Sequence, residues 1–178
     1  MNPAFTTPPR TIMEVYKNLP EGTLAELIDN VIYMSPSPVK NHQQVLQTIF
    51  RRLSESIEDS KKGEVIIAPF DVYFDVTSNA VQPDIIVILE GNNGYSKPDS
   101  HFHGVPDLII EIFSPGNKEY DLVKKKDLYE RFGVKEYWIV DPQTKISLGY
   151  SLQGTHYVKI SEEKNKISFT LLNLTILF

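Results

Sequence analysis

The chain has 178 residues, 41% hydrophobic and 23% charged, enough to bury a sizeable core in one globular domain. It has no cysteine, which excludes disulfides, thiolate chemistry and cysteine-based zinc sites. Its net charge of −5 counts against a protein that coats nucleic acid through a basic surface.

Residues 1–10, MNPAFTTPPR, read as a flexible, Pro-rich lead-in without the apolar core of a signal peptide, and residues 11–178 as a single domain. No apolar run is long enough to span a bilayer. With no cysteine to suggest an oxidising compartment, this places the protein in the cytoplasm and away from membranes. Thr11-Ile12-Met13-Glu14 is a capping box that starts a short helix ending at Pro20. Two apolar runs, Leu24 to Ile28 and Val31 to Met34, flank Asp29-Asn30, a pair suited to a hairpin turn. Val39 to about Ile57 reads as the first long helix, because Val45, Leu46, Ile49, Leu53 and Ile57 recur at helical spacing, with His42 on the same stripe. Lys61-Lys62-Gly63 ends that element.

Glu64 to Asp75 reads as a strand pair or one bent strand, with Pro69 at an edge or a bend. After a turn at Ser78-Asn79 comes the strand VQPDIIVIL, which carries Asp84. Glu90 to Gly104 is a long polar loop, the segment expected to be most mobile. The strand in PDLIIEIFSP carries Glu111, and Ser114-Pro115-Gly116-Asn117 turns into a second long helix over about Lys118 to Phe132, stopped by Gly133. Lys135 to Val140 is an aromatic strand closed by Asp141-Pro142. A hairpin of Lys145–Tyr150 and His156–Ile160 follows around Gln153-Gly154, and Ile167 to Leu172 is a last strand. Strands dominate and helices cover them, which predicts an α/β or α+β domain built on a mixed sheet.

Three charges stand out against this apolar background. Asp84 opens an otherwise apolar strand, so it lies at a sheet end where its oxygens face a cleft. Glu111 sits mid-strand between Leu108-Ile109-Ile110 and Ile112-Phe113, facing either solvent or a site. Lys125 lies three residues after Leu122, three before Leu128 and four before Tyr129, inside the apolar stripe of its helix, whereas Lys124 falls on the polar side. Its ammonium either meets a carboxylate or phosphate or snorkels to water, and Asp121, four residues earlier, is one candidate partner. Two carboxylates and an ammonium inside apolar structure are costly unless they bind something. A hard cation and a phosphodiester would satisfy all three, and oxygen ligands select Mg²⁺ or Mn²⁺. His42 alone reads as a hydrogen-bonded core histidine. His101-Phe102-His103 lacks further ligands at metal-binding spacing. No P-loop, dinucleotide, HExxH or GxSxG motif is present.

The chain resembles the Uma2 family of restriction-endonuclease-like proteins, a branch of the PD-(D/E)xK nuclease superfamily. The resemblance runs through Ala25-Glu26-Leu27-Ile28-Asp29, Met34-Ser35-Pro36, His42-Gln43, Ala68-Pro69, Gln82-Pro83-Asp84-Ile85, Pro106-Asp107-Leu108, Glu111 to Pro115, Asp121 to Tyr129 and Gly133 to Pro142. It implies a nuclease-like mixed β-sheet flanked by helices, with Asp84 and Glu111 as the acidic motif residues that bind one or two metal ions, helped by a backbone carbonyl near Ile112. The superfamily places lysine two residues after the acid, where this chain has Phe113. Lys125 matches the lysine that this family supplies from the next helix. Glu26 and His42 match further polar positions lining the site, Glu26 to bind a second metal or orient water, His42 to contact phosphate or hold Glu26. Asn30-Val31 stands where the family often has glycine.

The function so implied is that of a Mg²⁺- or Mn²⁺-dependent DNA endonuclease hydrolysing phosphodiester bonds. A symmetric homodimer is the arrangement expected of a single-domain enzyme that cuts both strands. The acidic charge and the missing strand lysine motivate the alternative, a catalytically inactive binding module on a nuclease fold. A hydrolase of a smaller phosphoester would use the same chemistry.

Overall fold

The computed structural model describes residues 8–95, 101–114 and 120–178. Most of the expected lead-in, part of the long loop after Glu90, and the start of the second long helix with most of the turn before it lie outside the described residues.

The chain opens with α1 (Ile12–Lys17), where Thr11 and Glu14 form the reciprocal capping box. Strands β1 (Ala25–Ile28) and β2 (Val31–Met34) form a hairpin turning at Asp29 and Asn30, both at positive φ (50° and 63°), as a two-residue turn of this kind requires. Helix α2 (Lys40–Ile57) follows. Then come β3 (Gly63–Ile67), a bend at the cis Ala68–Pro69 bond, and the short strands β4 (Val72–Tyr73) and β5 (Ala80–Val81). Strand β6 (Ile85–Leu89) begins directly after Asp84. The polar stretch after it contains a short strand, β7 (Phe102–His103), which pairs with β4. Next are β8 (Leu108–Ile112), a π-helical turn (Tyr120–Lys125), α3 (Lys126–Phe132) and β9 (Glu136–Asp141). Gly133 ends α3 in the left-handed conformation, at φ 86°. Strands β10 (Ile146–Gln153) and β11 (His156–Lys164) form the expected hairpin, with β11 longer than anticipated.

The expected last strand is instead a hairpin of β12 (Lys166–Phe169) and β13 (Leu174–Leu177), with Asn173 at φ 49° in its turn. An asparagine that tolerates the left-handed region breaks what reads in sequence as one apolar run. The second long helix also departs from regular α geometry, because its first part is π-helical.

The fold is mixed α+β. A six-stranded sheet runs β11-β10-β9-β8-β6-β3, parallel only at β8–β9, and a five-stranded sheet runs β2-β1-β5-β4-β7. Side-chain alternation divides the six-stranded sheet into two apolar faces. Ile85, Val87, Leu108, Ile110, Ile112, Trp138 and Val140 pack against the stripe of α2 and against Ile167, Phe169 and Ile176 of the final hairpin. Ile86, Ile109, Tyr137 and Ile139 face the other way, toward Leu128 and Tyr129 of α3 and toward Ile28, Val72 and Val81 of the smaller sheet. Helix α1 covers the smaller sheet through Met13 and Tyr16. Among the described residues no helix is long and apolar enough to cross a membrane.

Two features of the frame lead to direct tests. Gly149 pairs with Trp138, whose indole crosses its backbone, so a Cβ there would come within 2.5 Å of the ring. Trp138 is fully buried and its indole N–H donates to Glu136 at 2.6 Å, so it has little freedom to yield. Gly149→Ala should therefore destabilise the fold by about 1–3 kcal/mol, read as a lower melting temperature. An unchanged melting temperature would refute this account of the glycine.

Asp75 organises the turn before β5. Burial pushes its carboxyl up, but donors from the Asn79 amide, the Ser78 and Thr77 backbone and the Thr77 hydroxyl outweigh that and hold it at about 2, against an ordinary 3.8. A depressed folded value contributes stability that is complete above the ordinary range and lost as pH falls through about 2. Partial exposure limits this to on the order of 1–2 kcal/mol. Asp75→Asn should be less stable than the parent near neutrality, with the gap closing across that acidic window. A gap independent of pH would show that the charge contributes nothing.

Candidate active site

The expected residues meet where the two sheets and helix α2 converge. Glu111 occupies the position of β8 between Ile109 and Phe113 that faces α3, and it is 3% exposed. The expectation of a solvent-facing glutamate is thereby excluded. Its Oε1 accepts the Tyr129 hydroxyl at 2.6 Å and lies 3.0 Å from Nζ of Lys125. Lys125 is the last residue of the π-helical turn and is 6% exposed, so it does not snorkel. Its Nζ also lies 3.0 Å from Oε1 of Glu26 and 5.7 Å from the centre of the Tyr120 ring. The Asp121 side chain, weighed as its partner, lies outside the described residues.

Glu26 comes from β1, in the other sheet, and is 2% exposed. Its Oε1 also accepts the backbone N–H of Gln82 at 3.1 Å. Lys125 thus ties the two sheets together through one carboxylate of each. Burial, then the Glu26 charge, raises the Tyr120 phenol far above its ordinary range. Burial, then Glu111, does the same to Tyr129. Both phenols stay protonated, and Tyr129 serves Glu111 as a donor.

Asp84 stands just before β6. Strand β6 pairs with β8 antiparallel at Ile85–Ile110, and one further step of that register would set Asp84 opposite Glu111. Instead of continuing the ladder, Asp84 turns its carboxylate onto the strand end, where Oδ2 accepts the N–H of Ile112 at 2.7 Å. The backbone contact at Ile112 is therefore a donated N–H to the carboxylate. The same oxygen lies 3.1 Å from Nε2 of His42. His42 was expected to contact phosphate or hold Glu26. Its recorded partner is Asp84, because α2 covers the sheet face at the start of β6, while Glu26 belongs to the smaller sheet beyond Lys125.

Asp84, Glu111, Lys125, His42, Gln43 and Ser114 line one cavity of about 210 Å³. Asp84 and Glu111 line this cavity, and Glu26 reaches the same Lys125 ammonium from outside its lining. Glu26 Oε2 and His42 Nδ1 are buried without a well-formed hydrogen bond among the described residues. Phe113, at the position two after Glu111, is packed into the core on the α3 side.

Sequence reasoning missed Tyr129 and Gln82. Tyr129 lies one turn after Lys125 on the same stripe and was read as apolar packing. A buried phenol needs a partner for its hydroxyl, which was the available signal. The contribution of Gln82 is a backbone N–H and has no signature in side-chain chemistry.

Over residues 13–175 the sequence matches the family described as "Uma2: Putative restriction endonuclease". Among solved structures, the fold resembles the crystal structure of "a putative nuclease belonging to DUF820" from Anabaena variabilis ATCC 29413, with a TM-score of 0.74 and 19% identity over 93% of this chain and 92% of that one. No curated protein matches the chain at a significant level. The family match spans nearly the whole chain, including Glu26, His42, Asp84, Glu111 and Lys125, so the chain belongs to the Uma2 family.

Proposed function

We propose that the protein is a metal-dependent DNA endonuclease of the PD-(D/E)xK type, and that Asp84, Glu111 and Lys125 carry the reaction. The observation that supports this best is the pair of carboxylates, Asp84 and Glu111, lining one cleft with a buried lysine ammonium 3.0 Å from Glu111. A divalent cation fits the chemistry of the donor set. Both ligands are hard carboxylates lining the same cleft, the oxygen donors that Mg²⁺ or Mn²⁺ takes. When bound, such an ion polarises the phosphodiester and lowers the pKa of the attacking water.

The chain's own residues then have separable tasks. Asp84 and Glu111 would hold the ion. His42 and the Ile112 N–H orient Asp84, and Tyr129 orients Glu111. Lys125 presents positive charge to the phosphate or its attacking water, where charge builds in the transition state. It stands in for the strand lysine that Phe113 replaces. Glu26 fixes Lys125 from the second sheet. A two-fold dimer, which would cut both strands, belongs to this same reading.

A second reading, an inactive binding module, draws on one observation: Glu26 and Glu111 already neutralise Lys125. Calorimetric titration of Mg²⁺ and Mn²⁺ into wild type and Asp84→Ala, with supercoiled plasmid cleavage on the same samples, separates the two. Metal binding and nicking that both disappear in the variant support the nuclease. Absence of both in the wild type, with no rise in melting temperature on adding Mg²⁺, supports the binding module.

A further inference from the structure

A second cavity, of about 750 Å³, adjoins the carboxylate cleft and shares two lining residues with it, Pro69 and Gln82. That volume is in the usual range for a small-molecule site, roughly 300–1,000 Å³. Its walls are aromatic. Tyr73 and His103 stack with centroids 4.9 Å apart, and Tyr95, outside the cavity lining, backs His103 at 5.1 Å. Phe70 and His101 add two rings, 6.3 Å apart and inclined by 53°. His101 is exposed and Phe70 partly so, which leaves ring surface available to a ligand.

Asp71 lies among these rings. Its Oδ1 accepts the Tyr16 hydroxyl at 3.0 Å and the Gln82 side-chain amide at 2.8 Å. Its Oδ2 lies 3.6 Å from Nδ1 of His101, longer than a hydrogen bond. The Tyr73 hydroxyl also interacts with this carboxylate. A carboxylate offers about four acceptor positions, so Asp71 keeps room for one further donor beside these three. Burial, then Asp71, raises the phenol of Tyr16 well above its ordinary range and pushes that of Tyr73 up to about 12. The phenols therefore stay protonated, and Asp71 remains an acceptor.

The charged residues around this cavity disfavour a phosphate, because Asp71 and Glu21 outnumber Lys17. A flat, neutral ring bearing an N–H donor matches it instead. Gln82 links the cavity to the cleft. Its side chain holds Asp71, and its own N–H holds Glu26, which in turn holds Lys125. Gln82 lines both cavities, so the two sites lie side by side.

We propose that this cavity receives an unpaired nucleobase of the strand being cut, with its ring against Phe70 and His101 and an N–H donor on Asp71. The inference deepens the nuclease reading and rests on it. In a duplex each base is stacked on both faces and its pairing edge is occupied, so the cavity selects single-stranded or locally opened nucleic acid.

The test uses a short fluorescein-labelled single strand containing guanine and a blunt duplex of the same sequence. Binding is followed by anisotropy in the presence of a chelator, for wild type, Phe70→Ala, His101→Ala and Asp71→Asn. Cleavage of both substrates with Mg²⁺ is then measured on the same proteins and on Asp84→Ala. The single strand should bind the wild type at least about tenfold more tightly than the duplex, and each ring variant should lose roughly five- to hundredfold of that affinity. Asp71→Asn, which swaps an acceptor oxygen for an amide donor, should also weaken binding of the single strand. Exposed His101 carries the test if Phe70→Ala melts early. Equal affinity for the two substrates, or ring variants that bind like the wild type, would overturn the base pocket, and the nuclease reading would stand if Asp84→Ala still abolished cleavage. Ring-dependent binding of the single strand with no cleavage of either substrate would support the pocket and overturn the nuclease reading.

Discussion

Lys125→Met should cost the fold about 3–5 kcal/mol and abolish cleavage. The side chain is buried, and its Nζ sits 3.0 Å from both Glu26 Oε1 and Glu111 Oε1. Without it, two carboxylates point at the same vacated space in a poorly hydrated environment. They would then favour their protonated forms, so the deficit should shrink as pH falls. Methionine keeps most of the volume, which separates the loss of charge from the loss of packing. Urea denaturation across pH, with plasmid nicking in parallel, reads both effects. Adding Glu26→Gln to the same variant should return part of the stability and none of the cleavage, because it removes one uncompensated charge without restoring an ammonium. If Lys125→Met is as stable as the parent, the lysine is not the ion-pair centre described here.

Asp84→Ala should lower cleavage by about 10²–10³-fold or more while the protein stays folded. Its carboxylate sits at the end of the sheet, with its side chain 16% exposed, where water can reach the groups left behind. Those groups are the N–H of Ile112 and Nε2 of His42, and exposing them should cost about 1–3 kcal/mol. Asp84→Asn retains an acceptor for Ile112, so its stability should lie closer to the parent while cleavage remains lost. Circular dichroism, melting and plasmid nicking distinguish these outcomes. Cleavage at the parental rate in Asp84→Ala would remove the residue from the mechanism.

Much of the candidate site can be read from local pattern. The stripe Leu122, Leu128 and Tyr129 places the Lys125 backbone on the inner face, and the apolar neighbours of Glu111 single it out, while burial of both charged ends is decided by the fold. The first two statements need only helical and strand periodicity. The π-helical turn is a different matter. It ends on Lys125, and nothing in the composition of Tyr120 to Lys125 distinguishes it from an ordinary helical start. Which backbone hydrogen bonds form there depends on what the neighbouring elements require. The partner of His42 was equally hidden, since its position on α2 settles which face it takes and leaves open which carboxylate it meets.

The order and type of most elements, a mixed sheet covered by helices, and the candidacy of Asp84, Glu111 and Lys125 were legible in the chain alone. Those follow from periodicities of two and about 3.6 residues and from the cost of burying charge. Only the tertiary structure decided that Glu26, carried on a separate sheet, shares one ammonium with Glu111, that Asp84 closes the end of the β6–β8 ladder, and that an aromatic cavity lies one glutamine away. Each of these depends on contacts between residues far apart in the chain, such as Glu26 and Lys125. Sheet pairing and the packing of helices on its faces bring them together, and no local pattern encodes such distances.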